Sequence, residues 1–137
     1  MTRCLQTTGQ GYFEEVEYVM PTLTENEICV RAVMTGVCRS DIDMMNGNFG
    51  PLPLQMQGHE GLGQVIGIGA NITDVNFGDI VATRGEPAYA DFYNVRKDEY
   101  VQVPEAHPRY IIEPVACGIN AVDAADCARR DKILIIG

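Results

Sequence analysis

The sequence contains no tryptophan and only two histidines in 137 residues, and its only lysines are Lys97 and Lys132. Ten basic side chains stand against 19 acidic ones, a net charge of −9 at neutral pH. A chain that grips nucleic acid needs a basic footprint to neutralise phosphates, and an anionic membrane surface makes the same demand. Neither nucleic acid nor membrane is therefore an expected partner. No apolar run approaches the ~20 residues of a membrane span. The opening residues, Met-Thr-Arg-Cys-Leu-Gln-Thr-Thr, lack the apolar stretch of a signal peptide. The expectation is a soluble, cytoplasmic chain. Paired cysteines are missing too. Cys4, Cys29, Cys38, Cys117 and Cys127 are odd in number and contain no C-x-x-C, which argues against a disulfide framework or a four-cysteine zinc knot. What remains are buried apolar thiols, or single cysteines that join other residue types at a site.

The chain otherwise has an ordinary globular composition, 46% hydrophobic and 21% charged, at a length that buries a real core. Most of it reads as short strands broken by turns. Residues 12–19 alternate loosely and stop at Pro21. Residues 27–35 alternate better, with Ile28, Val30, Ala32 and Met34 on one face. Residues 40–45 read as a short helix with Ser40 as its cap and Gly47 as its end. The loop 46–57 is rich in turn residues, and its Phe49, Leu52 and Leu54 are a reasonable pocket wall. Residues 58–69 form a glycine-punctuated strand, a pattern of bulges, curvature or close backbone approach. Strands at 80–83, 88–95 and 100–103 complete five to seven short strands, the signature of a small antiparallel barrel. The fold class is mainly β. Near the end, Glu113-Pro114 opens a helix on which Val115, Ile119 and Val122 repeat at helical spacing. The apolar run 133–136 and Gly137 then read as a buried parallel strand entering a nucleotide-binding turn.

Good metal donors stand beside irregular backbone in three segments. Cys38 lies just past a strand, His59 and Glu60 are adjacent, and Glu113 opens a helix. Thiolate, imidazole and carboxylate together suit zinc, and donors drawn from separate segments with one position left open are the catalytic pattern. A lone histidine in a glycine-rich strand also has a plainer reading, as a hydrogen-bonded core residue.

The order Gly36-Val-Cys38-Arg-Ser40-Asp41, Gly58-His59-Glu60-Gly61, Gly78-Asp79-Ile-Val81 and Ile112-Glu113-Pro114 resembles the medium-chain zinc-dependent alcohol and polyol dehydrogenases. The resemblance runs from about residue 10 to the C-terminus and implies a GroES-like, barrel-shaped catalytic domain over residues 1–130. It implies that Cys38 and His59 bind catalytic zinc, and that Glu60 is a ligand or one that exchanges with water. Glu113 stands in the polyol-branch position of a ligand or a group just behind the ligands. The implied reaction is oxidation of a small alcohol or polyol to a carbonyl, with hydride passing to NAD or NADP. Ser40 occupies the family's proton-relay position, as well as the place of a helix cap. Asp43 lies where some relatives carry a relay histidine, and also suits a helix-start charge. Asp41 reads as a partner of a ligand, and Cys117, one turn after Glu113, as a border of the nicotinamide pocket.

Two departures qualify the resemblance. Residues 83–88 bridge directly to the next strand, so the four-cysteine lobe of many members is missing. The rest of a G-x-G-x-x-G turn and the acidic ribose ligand are also missing after 133–136. Residues 131–137 are therefore expected to be the stub of a nucleotide-binding domain, and this chain alone to be inactive. The other reading is a stand-alone GroES-like module that binds zinc or a partner and catalyses nothing. As an orphan strand, 132–136 would forfeit about 2 kcal/mol per exposed aliphatic side chain. Pairing with a second copy as a homodimer is the first expectation, ahead of folding back over the barrel or fraying. Deleting residues 132–137 should then halve the mass in solution, and unchanged mass and solubility would show that the tail is idle.

Overall fold

The computed structural model describes residues 1–50, 57–126, 128 and 131–134. Its elements run β1 (Thr2–Thr7), β2 (Phe13–Tyr18), β3 (Glu27–Thr35), α1 (Arg39–Met45), β4 (Gly61–Ile68), β5 (Ile80–Thr83), β6 (Phe92–Arg96), β7 (Tyr100–Val103), a 3-10 turn (Pro108–Tyr110) and α2 (Glu113–Ala124). β1 and β2 form an antiparallel hairpin, and the other five strands form one antiparallel sheet in the order β6-β3-β4-β5-β7. The mainly β class expected from the sequence stands.

The alternation in β3 does the expected work. Ile28 and Val30 are fully buried and join Val65, Val81, Tyr93 and Val95 in the core, while Arg31 and Val33 face outward. The glycines of β4 are there for close approach. A Cβ on Gly67 would lie 2.9 Å from Cys29 Cβ, and one on Gly63 would lie 3.0 Å from Val30 Cβ. Two register shifts between β3 and β4, at Cys29/Val30 and Ala32/Met34, bend the pair. At the core's centre the Tyr93 and Thr83 hydroxyls bond at 2.8 Å, so a large aromatic is buried with its polar tip satisfied.

The hairpin, whose first strand the sequence patterning does not reveal, docks on the sheet through the segment before β6. Cys4 bridges Ala90, Leu5 N–H donates to Tyr89 O, and Gln57 N–H donates to Leu5 O. The strand expected over 88–95 therefore begins only at Phe92, because the N–H groups of Ala88, Tyr89 and Asp91 go to Gly58, Gln57 and Arg3, and that of Ala90 turns back to Pro87 O. Cys4 and Cys29 are free and buried, and burial pushes the Cys4 thiol up to about 11.

Two helix expectations need amendment. α1 is capped by Cys38, whose extended backbone N–H donates to Asp41 Oδ2 at 3.0 Å, and Ser40 sits inside the first turn. A carboxylate at the third helical position reaches back to that N–H, which fixes Cys38 and not Ser40 as the residue flanking the helix. α2 starts at Glu113 with Pro114 in its first turn, as expected, but Val115, Ile119 and Val122 are exposed. The described part of the expected terminal strand, residues 133 and 134, has no regular structure and no partner strand among the described residues, and Ile133 and Leu134 are exposed. Residues 135–137, Cys127, Leu52 and Leu54 lie outside the described residues. The stretch 132–136, on which the expected homodimer contact depends, is thus described only as far as Leu134. Phe49 is exposed.

The two faces of β3 differ enough to test. Ile28→Ala should lower unfolding stability by about 2–5 kcal/mol, whereas Val33→Ala on the outer face should stay within about 0.5 kcal/mol. Urea titration of both variants reads the difference.

Candidate metal centre

The pairing of β3 with β4 ends at Thr35 opposite Gly61. That register brings the residue just before β4, Glu60, against the residues just after β3. Gly36 N–H donates to Glu60 O at 2.9 Å, and the Thr35 hydroxyl lies 3.2 Å from Gly36 O and 3.3 Å from Glu60 O. Three residues past the end of β3, Cys38 turns into α1. The sulfur of Cys38, a ring nitrogen of His59 and a carboxylate oxygen of Glu60 consequently lie within 4.8 Å of one another. Glu60 is buried, while Cys38 and His59 are half-buried. Gly36 is required here for space. A methyl group on it would overlap the Glu60 carboxylate, Oε2 first.

Behind the three donors lies Asp41, with no solvent exposure. Its Oδ2 accepts from Cys38 N–H at 3.0 Å and from the Tyr89 hydroxyl at 2.8 Å. Its Oδ1 has no hydrogen-bond partner and lies 3.6 Å from His59 Nδ1. Burial and the bond to Asp41 drive the Tyr89 hydroxyl above the ordinary tyrosine range, with the charges of Glu60 and Cys38 adding to the effect.

Zinc suits this donor set: one thiolate, one imidazole and one carboxylate converge, with a buried carboxylate beside Nδ1 of the imidazole. Of the residues singled out in the sequence, the structure brings together Cys38, His59, Glu60 and Asp41. Glu113 is not in the group of three. Its Oε1 accepts instead from Cys117 Sγ at 3.0 Å across one helical turn. That hydrogen bond and the Glu113 charge raise the Cys117 thiol, and the charge of Cys38 also reaches it. Ser40 is half-buried in the first turn of α1. Asp43 accepts from Asn48 Nδ2 at 2.8 Å and pairs with Arg39 at 3.1 Å, and these bonds hold its carboxyl below the usual range. Tyr89 was not legible as a site residue. Nothing in its neighbours marks it, because its role depends on contacts with residues 36, 41 and 58, all distant in sequence.

Comparison with known proteins bears on the family and the fold. The family described as "Alcohol dehydrogenase GroES-like domain" matches residues 24–107, more than half of the chain. An alcohol dehydrogenase of Schizosaccharomyces pombe is 39% identical over 75 residues, 53% of this chain and 21% of that protein. A probable quinone oxidoreductase of Leishmania amazonensis is 30% identical over 110 residues, 79% of this chain and 32% of that protein. Among solved structures, galactitol-1-phosphate dehydrogenase from Escherichia coli superposes with a TM-score of 0.75 at 21% identity, covering 90% of this chain and 45% of that one. This chain therefore matches less than half the length of each of these relatives.

The cradle at Gly36 generates a direct test. Gly36→Ala should leave the sheet intact by circular dichroism while displacing the Glu60 carboxylate. Co2+ affinity, read by absorbance titration, should fall by about ten-fold or more.

Proposed function

The chain belongs to the alcohol dehydrogenase GroES-like domain family, and on that footing we propose that it is the zinc-holding catalytic domain of an alcohol or polyol dehydrogenase. The observation that carries the reading is the convergence of Cys38, His59 and Glu60 within 4.8 Å, backed by the buried Asp41. In this reading Cys38 and His59 hold the ion, and Glu60 is the third ligand or yields its place to water. Zinc, when bound, supplies a Lewis acid that brings the pKa of a water or an alcohol towards neutrality.

The chain's own residues do the rest. Asp41 orients His59, and the β3–β4 register keeps Glu60 facing Cys38. Ser40, half-buried beside Cys38 in sequence, is the hydroxyl assigned to take the alcohol proton. The bonds of Asp43 to Arg39 and Asn48 favour a role as the charge that steadies the first turns of α1 over a role in proton relay. Glu113 and Cys117 form a hydrogen-bonded pair, and we place them behind the ligands, with Cys117 bordering the nicotinamide pocket. The hydride acceptor of this reading is NAD or NADP. The described residues do not fit that cofactor, because Gly61, Gly63 and Gly67 lie inside β4 and no glycine-rich turn joins a strand to a helix. No step of hydride transfer is assigned to them, and the chain alone is expected to show no turnover with NADH or NADPH. No helix among the described residues is long and apolar enough to cross a membrane, and a cytoplasmic location goes with this reading.

Metal analysis tests the proposal. The purified chain should carry close to one zinc ion, Cys38→Ser and His59→Ala should lose it, and Cys117→Ala should keep it. Loss of zinc in Cys117→Ala would make that thiol a ligand in place of Glu60. Absence of bound metal from the unmodified chain, even after zinc is supplied, would overturn the reading.

A further inference from the structure

Tyr89 touches every segment from which the candidate centre is built. Its hydroxyl lies 2.8 Å from Asp41 Oδ2 and 3.2 Å from Gly36 O. A phenol has one proton to donate, and the ionised carboxylate at the shorter distance is the stronger acceptor. Its main chain holds the strip that leads to His59, with Tyr89 N–H donating to Gln57 O and Ala88 N–H to Gly58 O, both at 2.9 Å. Its ring lies on Gly58, where φ is +98° and a Cβ would come within 2.6 Å of Tyr89 Cδ1. Phe13 meets the ring edge-on from β2, at 6.2 Å between centroids. The ring is therefore clamped by its neighbours, and the hydroxyl is delivered to Asp41 at a fixed position.

We propose that Tyr89 is a positioning residue for this centre: its hydroxyl locks the rotation of the Asp41 carboxylate, and the locked carboxylate holds His59 in the form that carries its proton on Nδ1. The inference deepens the metal reading, and rests on it only for what His59 binds.

A carboxylate is a rigid plane on a soft, two-fold torsion. With its carbon skeleton fixed in α1 and two donors on Oδ2, it cannot turn, and Oδ1 stays beside His59 Nδ1. The separation of 3.6 Å is longer than a hydrogen bond, but Oδ1 is otherwise unpartnered and out of water. A proton on Nδ1 is the one arrangement of the ring that offers Oδ1 a donor, and it leaves the other ring nitrogen unprotonated for a metal. Without the phenol, only the Cys38 N–H holds Oδ2, the two oxygens exchange by a half-turn, and the preference of the ring is relaxed.

The test uses the 137-residue chain and Tyr89→Phe, which keeps the ring and removes the hydroxyl. Nitrogen-15 NMR of the metal-free protein, above the pH range in which histidine is charged, reads the His59 tautomer. The unmodified chain should show the Nδ1–H form, and Tyr89→Phe a mixture. Titration with Co2+ as the probe should show ten- to hundred-fold weaker binding in Tyr89→Phe, with displaced visible bands. An unchanged tautomer with unchanged Co2+ affinity and spectrum, whatever happens to thermal stability, would overturn the proposal. If the unmodified chain binds no Co2+ yet its tautomer still responds to Tyr89→Phe, the positioning role stands and the metal reading falls. Should Tyr89→Phe fail to fold, the unmodified chain decides. The Tyr89 hydroxyl proton should show a cross-peak to the Cys38 amide proton, because both converge on Oδ2. A hydroxyl proton exchanging freely with water overturns the role.

Discussion

A carboxylate placed wholly out of water costs several kcal/mol unless its oxygens are supplied with donors, and the site end of this fold is arranged around that requirement at Asp41. One oxygen takes its donors from the N-terminus of α1 and from the segment before β6. The other is left for the imidazole that precedes β4. Three separate stretches of chain thus converge on one charge. The cost of burying it is offset only when they are all in place, which ties the geometry of the candidate ligands to completion of the fold.

The sheet explains how such distant stretches meet. β3 and β4 run antiparallel at the middle of five strands, so the end of one and the beginning of the other share an edge of the sheet. Close packing through Gly63 and Gly67 brings the backbones of the pair together. The same shared edge carries Cys38 after one strand and His59-Glu60 before the other. Membership in the family described above fits this arrangement, because the matched residues, 24–107, contain both strands and every residue of the triad.

Much of this was legible in the sequence, and the limits are physical. Strong alternation in residues 27–35, and turn residues around 80–83 and 100–103, mark strands whose observed bounds agree with the reading. The donors Cys38, His59 and Glu60 were legible because their chemistry is uncommon in that order. β1 was hidden because its inward residues, Thr2, Cys4 and Thr7, are polar or small and give no apolar rhythm. The beginning of β6 was misplaced because backbone bonds to the hairpin, invisible in side-chain pattern, override the propensity of Ala88-Tyr89-Ala90. The cap of α1 went to Cys38 because Asp41 reaches back to its N–H, a bond that composition alone does not reveal. Tyr89 was beyond reach for a related reason. A tyrosine that packs a ring and a tyrosine that aims a hydroxyl are written identically.

The register at Thr35 and Gly61 has a thermodynamic consequence. Residues 38 and 60 are the ends of a long excursion of chain, and an ion gripping both would ordinarily gain much of its stabilising effect by closing that loop. Here the loop is already closed by the strand ladder and by the bond from Gly36 to Glu60. Little chain entropy remains to be lost when the donors are joined. The binding free energy of an ion at this place is thus available as affinity instead of being consumed in ordering the polypeptide, and the β framework has no need of the ion in order to assemble.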